Sequence, residues 1–384
     1  MWRVLCFAVS LPWLVDAGMR QLLARAARAW PFPSDAVAAA KPRWLVVVPA
    51  RSEGQAVTPT LTSVGVATRE HSVSTVLLLD GADDEAVAAA RALAVTAVVK
   101  DPPGPTKGAA LRWFVENRAD LLDEADVILV LDVGSRLVPD FFDRLDWPRE
   151  AQAVQAWLLG EGAGVGQAAS LSESAAQRWQ DRGRQSLGWA VQLRGTGTAF
   201  TPSALRRLAP RLKTSVEDTE ATLLLAADGG RIVLGGEGAI VEDIKPVRVA
   251  DAARQRSRWL LGQLAVLVRQ PGALLRLVWR NPLEGIAFIA GLLSRPLSLT
   301  ALLRLVLALG FAVDGLAGRG GAPSLAASGV LVVSLLSDLV LLRRATDAPW
   351  PHLVAAGLRI LLAWGGALLL LPRALFGWAR GRRE

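Results

Sequence analysis

Carboxylates stand out at three places in this chain, two of them where a short apolar run gives way to polar residues. Asp80 follows Thr75–Leu79, Asp132 follows Val127–Leu131, and Glu217-Asp218 follows Val216. A carboxylate so placed can take a proton from a hydroxyl, or join phosphate oxygens in holding a divalent cation. Lys107, at a glycine-containing turn that opens a helical stretch, and Arg256 and Arg258 can neutralise phosphate charge. Other chemistries are poorly supplied. Cys6 is the one cysteine, so the chain makes no internal disulfide and no thiolate zinc site, and His71 and His352 are the two histidines. Any metal would sit on carboxylates, which favours Mg²⁺ or Mn²⁺. The stretch Pro103-Gly104-Pro105-Thr106-Lys107 lacks the spacing of a P-loop. The same residues also have structural uses. Asp80 can cap a turn, Glu217-Asp218 can favour a helix dipole from its first turn, and Gly195 and Gly197 can serve a tight turn. Glu242-Asp243 reads as surface charge.

The elements that must position these groups follow from hydrophobic patterning. Residues 44–48, 75–79, 95–99 and 127–131 are short apolar runs of buried-strand length, and residues 83–94 and 107–122 are helical between them. That alternation predicts an α/β domain over 43–249, a mostly parallel sheet covered by helices, with the acids just past strand C-termini where open α/β sheets bind ligands. Residues 1–42 combine a short apolar segment, either an anchor or an interfacial helix, with a linker marked by Pro31, Pro33 and Pro42. Residues 250–282 form an arginine-rich helical stretch suited either to an anionic membrane face or to the domain surface. Residues 283–384 are dominated by apolar runs, with 297–317, 325–342 and 353–371 close to the ~20 residues that a bilayer core requires. The 384 residues are 52% hydrophobic with a formal charge of +8. Arginines beside apolar helices assign that charge to a membrane rather than to nucleic acid. Arg20, Arg25, Arg28, Lys41 and Arg43 place the α/β domain on the cytoplasmic side of a cell membrane. Arg343-Arg344 and Arg373, Arg380, Arg382 and Arg383 cannot then all be cytoplasmic if three simple spans follow.

The ordered series Val46-Val47-Val48-Pro49-Ala50-Arg51-Ser52-Glu53, Leu77 to Asp80, Lys107-Gly108-Ala109-Ala110-Leu111, Val130-Leu131-Asp132, Gly195-Thr196-Gly197, Val216-Glu217-Asp218 and Gln255-Arg256-Ser257-Arg258-Trp259 resembles the family 2 glycosyltransferases, over roughly residues 43–280. The resemblance implies a GT-A fold and inverting transfer from a nucleotide sugar to a lipid-linked or glycan acceptor. It implies that Pro49, Ala50, Glu53, Asp80, Lys107, Asp132 and Gly197 bind the nucleotide sugar, and that Asp132 also holds the metal. It further implies that Asp218, beside Glu217, is the general base, and that Gln255, Arg258 and Trp259 lie near the diphosphate and acceptor. One departure stands out: where the family has Asp-x-Asp, this chain has Asp132-Val133-Gly134. A catalytically inactive scaffold for a glycan assembly complex is the alternative reading.

Overall fold

The computed structural model describes residues 2–29, 41–68, 71–148, 150–294, 297–346 and 348–380. Pro31, Pro33 and Arg295-Pro296 lie outside them. The strands are β1 (Trp44–Ala50), β2 (Val73–Asp80), β3 (Thr96–Lys100), β4 (Val127–Val130), β5 (Ser135–Leu137), β6 (Ala151–Gln155), β7 (Trp157–Glu161), β8 (Thr198–Phe200), β9 (Arg231–Leu234) and β10 (Ile240–Ile244). The helices of the N-terminal two-thirds are α1 (Trp2–Ala26), α2 (Val57–Ala67), α3 (Asp84–Ala92), α4 (Lys107–Asn117), α5 (Ala119–Asp123), α6 (Phe141–Arg144), α7 (Val165–Ala175), α8 (Arg182–Ser186), α9 (Pro202–Leu208) and α10 (Glu217–Ala227). Then come α11 (Val249–Arg269), α12 (Pro271–Arg280), α13 (Pro282–Ser294), α14 (Leu297–Leu316), α15 (Gly321–Thr346) and α16 (Trp350–Arg380).

Seven strands form the main sheet in the order β3-β2-β1-β4-β8-β6-β9. β3, β2, β1 and β4 are mutually parallel, while β8 runs antiparallel to both β4 and β6. β1 shows why the sheet sits in the middle of the domain. Leu45 and Val47 belong to one buried cluster, and Trp44, Val46 and Val48 to another on the opposite face. A strand covered on both faces needs apolar side chains at every position, which is the unbroken run read from the sequence. Because β1, β2 and β4 are parallel, Ala50, Asp80 and the chain after Val130 emerge at the same sheet edge. A smaller sheet, β5-β10-β7, flanks that edge. In it Asp243 pairs with Lys245, which also reaches Glu173 Oε2 at 2.6 Å. Asp243 is therefore not free surface charge: it lies in a half-buried strand, held by a lysine from its own sequence neighbourhood.

Several predicted elements are divided by local breaks. The helix expected over 107–122 is α4 and α5, parted at Arg118, and the 250–280 stretch is α11 and α12, parted at Gln270-Pro271. Proline is tolerated in a first helical turn but not continued through, so α12 starts afresh there. Three helices are long and apolar enough to cross a membrane, over Leu299–Leu316, Gly321–Thr346 and Trp350–Leu370.

Candidate active site

Two helix N-termini converge beyond the end of β4. Thr106 caps α4 by accepting from Ala109 N–H at 3.1 Å, which sets Lys107 in the first turn. Gly108 allows α4 to lie close to the chain before α10: a Cβ there would stand 3.1 Å from Leu212 Cβ and 3.5 Å from Glu217 Cβ. α10 opens with Glu217 and Asp218, acids that its dipole favours. A lysine at a helix N-terminus is unfavourable by the same argument, and here carboxylates offset it. Lys107 Nζ lies 2.5 Å from Asp132 Oδ1 and 3.3 Å from Glu217 Oε1, and donates to Gly195 O at 2.8 Å. Burial lowers the pKa of this ammonium, but Asp132, Glu217 and Asp218 together outweigh it and leave the pKa raised.

The loop carrying Gly195 and Gly197 closes the cluster. Gly195 has φ +84, and a side chain there would meet Asp218 Oδ2 at 3.7 Å and Asp132 Oδ2 at 3.8 Å. Gly197, at φ +62, would drive a Cβ to 2.8 Å from Val241 Cγ2. The positive φ thus favours glycine at both positions, and at Gly197 space excludes a side chain as well. Buried Gln155 fixes this loop: its Oε1 accepts from Arg194 N–H and Thr198 O–H, both at 2.9 Å, and its Nε2 donates to Thr196 O at 3.0 Å. Thr196 Oγ1 in turn accepts from Asp132 N–H at 3.1 Å. Asp218 accepts from Thr219 N–H at 2.6 Å. Burial first, and then the charge of Glu217, push Asp218 up to about 6, against that hydrogen bond and Lys107.

Asp132, Glu217, Asp218, Lys107 and Gly195 thus meet at one place, with Gly197 two residues further along the same loop, against Val241. The other predicted residues lie around it. Pro49 and Ala50 end β1 beside Leu78 and Leu79 of β2. Glu53 is exposed in the following turn. Asp80 is buried and accepts from Gly104 N–H at 2.7 Å, so it pins the turn leading into α4. Gln255, Arg258 and Trp259 lie on α11, with Arg258 exposed and Trp259 42% exposed. Among the described residues no hydrogen bond or ion pair ties them to the cluster, although α11 passes beside it: a Cβ on Gly262 would touch Val216 Cγ1, next to Glu217. Sequence patterning missed what fastens α11. Fully buried Glu220 accepts from Lys213 N–H, Thr214 N–H and Thr214 O–H at 2.8–2.9 Å, and from Gln270 Nε2 at 2.5 Å. Its place in the first turn of α10, beside two other acids, disguises a residue that ties three segments together.

The donors present do not make a metal site by themselves: among the described residues no group of three or more His, Cys, Asp or Glu is arranged to hold an ion. The charge balance nonetheless suits a cation that arrives with an anion. Three carboxylates face one lysine, and Asp132 is 43% exposed.

A model of the glycosyl transferase family group 2 matches residues 127–314, a stretch that takes in Asp132, Glu217-Asp218 and α11. The chain carries a family 2 glycosyltransferase domain. Among solved structures, the transferase is similar to a mannosyltransferase from Pyrobaculum calidifontis, described in complex with GDP-Man and Mn²⁺. The two are 16% identical, the match covers 91% of this chain and 100% of that one, and the TM-score is 0.50. That likeness supports the GT-A fold and extends into the C-terminal helices. Glucosyl-3-phosphoglycerate synthase from Mycobacterium tuberculosis also matches, at 18% identity over 64% of this chain and 82% of that one, with a TM-score of 0.38. No curated protein sequence matches.

Proposed function

We propose that this transferase is membrane-bound and moves a sugar from a nucleotide sugar to a lipid-linked or growing-glycan acceptor, with inversion at the anomeric carbon. Asp218 takes the proton of the acceptor hydroxyl as that oxygen bonds to the anomeric carbon, and the bond from that carbon to the nucleotide diphosphate breaks on the opposite face. The observation that carries this reading is the contrast between two neighbouring acids. Glu217 is held by the Lys107 ammonium, whereas Asp218 titrates at about 6, near the pH at which a base works best. Pro49, Ala50, Glu53 and Asp80, at the ends of β1 and β2, and Gly197 are assigned to the nucleotide sugar. Gln255, Arg258 and Trp259, outward on α11, are assigned to the acceptor side.

Lys107 orients Asp132 and Glu217 and meets the diphosphate. Asp132 would hold Mg²⁺ or Mn²⁺, with diphosphate oxygens as the other ligands, and the cation would neutralise charge gathering on the leaving group. Release of nucleoside diphosphate by the membrane-extracted protein, supplied with sugar nucleotides and a lipid-linked acceptor, tests the reading. Release that is unchanged in Asp218→Asn would move the base elsewhere.

A further inference from the structure

The helices that meet at the membrane are not the three that apolarity selects. α1 falls outside that set and carries Asp16 and Arg20. Both charges are buried and paired. Arg20 pairs with Asp16 and lies 2.6 Å from Asp338 Oδ2 on α15, whose same oxygen lies 2.5 Å from Arg304 Nη2 on α14. Arg304 is fully buried, donates to Ser334 Oγ at 3.2 Å and stacks over Trp13 at 5.4 Å. Two arginines and two aspartates sum to zero, which is how charge is tolerated inside a lipid-embedded bundle.

The contacts also give direction. Cys6 faces Ser324, Gln21 faces Ser337, and Leu23 shares a cluster with Ala345, so α1 runs parallel to α15. Ser324 meets Asp314 and Arg304 meets Asp338, so α14 runs antiparallel to both. The end holding Leu23 and Ala345 rests on the transferase domain, through Trp179, Trp189 and the bond from Arg178 to Ala345 O. From Ser324 to Ala345 the bundle rises about 32 Å at 1.5 Å per residue, enough for a bilayer core of about 30 Å.

α16 behaves differently. It starts at the domain end of that bundle and packs mainly along α11 and α7, touching α14 to a lesser extent and not running along α15. Ala363 clusters with Val165 and Ala252, a Cβ on Gly366 would stand 3.0 Å from Ala253, and Arg256 stacks over Trp364. Arg359 Nη1 reaches Gln167 at 3.5 Å. Residues 353–367 therefore lie on a folded domain, where a crossing helix would be in lipid. The outer side of α16 carries an aliphatic stripe, with Val354 and Leu358 59%, Leu362 65% and Leu369 82% exposed.

We propose that α1, α14 and α15 are the spanning helices, and that α16 does not cross but lies against the transferase domain with its outer stripe seated in the adjoining lipid leaflet. Continuity with the base of the bundle identifies lipid as the occupant. Arg343, Arg344, Arg373 and Arg380 then fall on the catalytic side, which removes the conflict with the positive-inside pattern for these four.

The inference rests on membrane association but not on the reaction, so its test needs no activity. In a Cys6→Ser background, single cysteines at Ser203→Cys in the catalytic domain, at Arg319→Cys in the loop after α14, and appended after Glu384 are labelled with an impermeant maleimide in sealed vesicles of known orientation. The appended cysteine should label with Ser203→Cys and oppositely to Arg319→Cys. Labelling with Arg319→Cys would overturn the proposal by showing that α16 crosses. Labelling of all three on one side would overturn it by showing that the bundle does not span.

Discussion

The ammonium of Lys107 lies 2.5 Å from Asp132 Oδ1 and 3.3 Å from Glu217 Oε1, so one cation joins the end of β4 to the start of α10. Without it three carboxylates would face one another across the Gly195 turn. Lys107→Met should weaken nucleotide-sugar binding and lower kcat/KM by about 10²-fold or more, by removing charge stabilisation of the kind that costs this much elsewhere. Lys107→Arg should recover part of the loss. Binding of the donor, followed by titration calorimetry, checks both.

Asp218 titrates at about 6 in the absence of substrate. The kcat/KM profile should fall on its acid side near that pH, and the limb should vanish with the residual activity of Asp218→Asn, whose loss should be about 10²–10⁴-fold. Stability carries the opposite sign. A folded pKa above the unfolded one adds stability that is full below about 4 and lost as pH rises through about 6. At pH 7.5 Asp218→Asn should therefore melt no lower than the wild type, and the margin should shrink between pH 6 and 4. A melting temperature well below wild type at pH 7.5 would assign Asp218 a structural role instead.

Metal binding should depend on the donor. Asp132 stands alone where the motif usually has two acids, so calorimetry should detect Mn²⁺ binding with nucleotide diphosphate present and little without it. Excess chelator should abolish transfer. Gly134 has φ +91 and open space where a side chain would go. Gly134→Asp should tighten Mn²⁺ binding while costing about 1–2 kcal/mol of stability for the left-handed backbone. Transfer that persists in chelator would shift the neutralising role to Lys107 and the arginines.

Glu220 is buried with four donors, and Glu220→Ala takes the acceptor from Lys213 N–H, Thr214 N–H and Thr214 O–H while Gln270 Nε2 keeps only Arg211 O. The expected cost is about 3 kcal/mol or more, since each orphaned buried group carries its own desolvation penalty. Thermal unfolding in detergent reads it, with α11 loosened from α10.

What was legible in the sequence follows from the range of the interactions. β1, β2 and β4 were legible because a strand buried on both faces has to be apolar throughout, and Asp80 and Asp132 followed from where such runs end, whereas Asp218 came from the family resemblance alone. β8 was not: Thr198–Phe200 is three residues long and exists because β4 and β6 flank it. Gln155 and Glu220 look like ordinary polar residues until the loop and helix that they hold are folded around them. α1 reads as a short apolar segment, because the Asp338 that pairs with its Arg20 lies more than 300 residues away. Asp80 combines both cases: its position was legible, while its bond to Gly104 N–H arises from a turn that patterning cannot place.

The central claim is sugar transfer with Asp218 as base, and the most direct measurement is nucleoside diphosphate release by the full chain in lipid vesicles with a panel of sugar nucleotides and a lipid-linked acceptor. The account predicts acceptor-dependent release from at least one donor, lost in Asp218→Asn while that donor still binds. Donor binding without release, across the panel and with Mg²⁺ or Mn²⁺ supplied, would contradict the account and leave a nucleotide-sugar-binding scaffold.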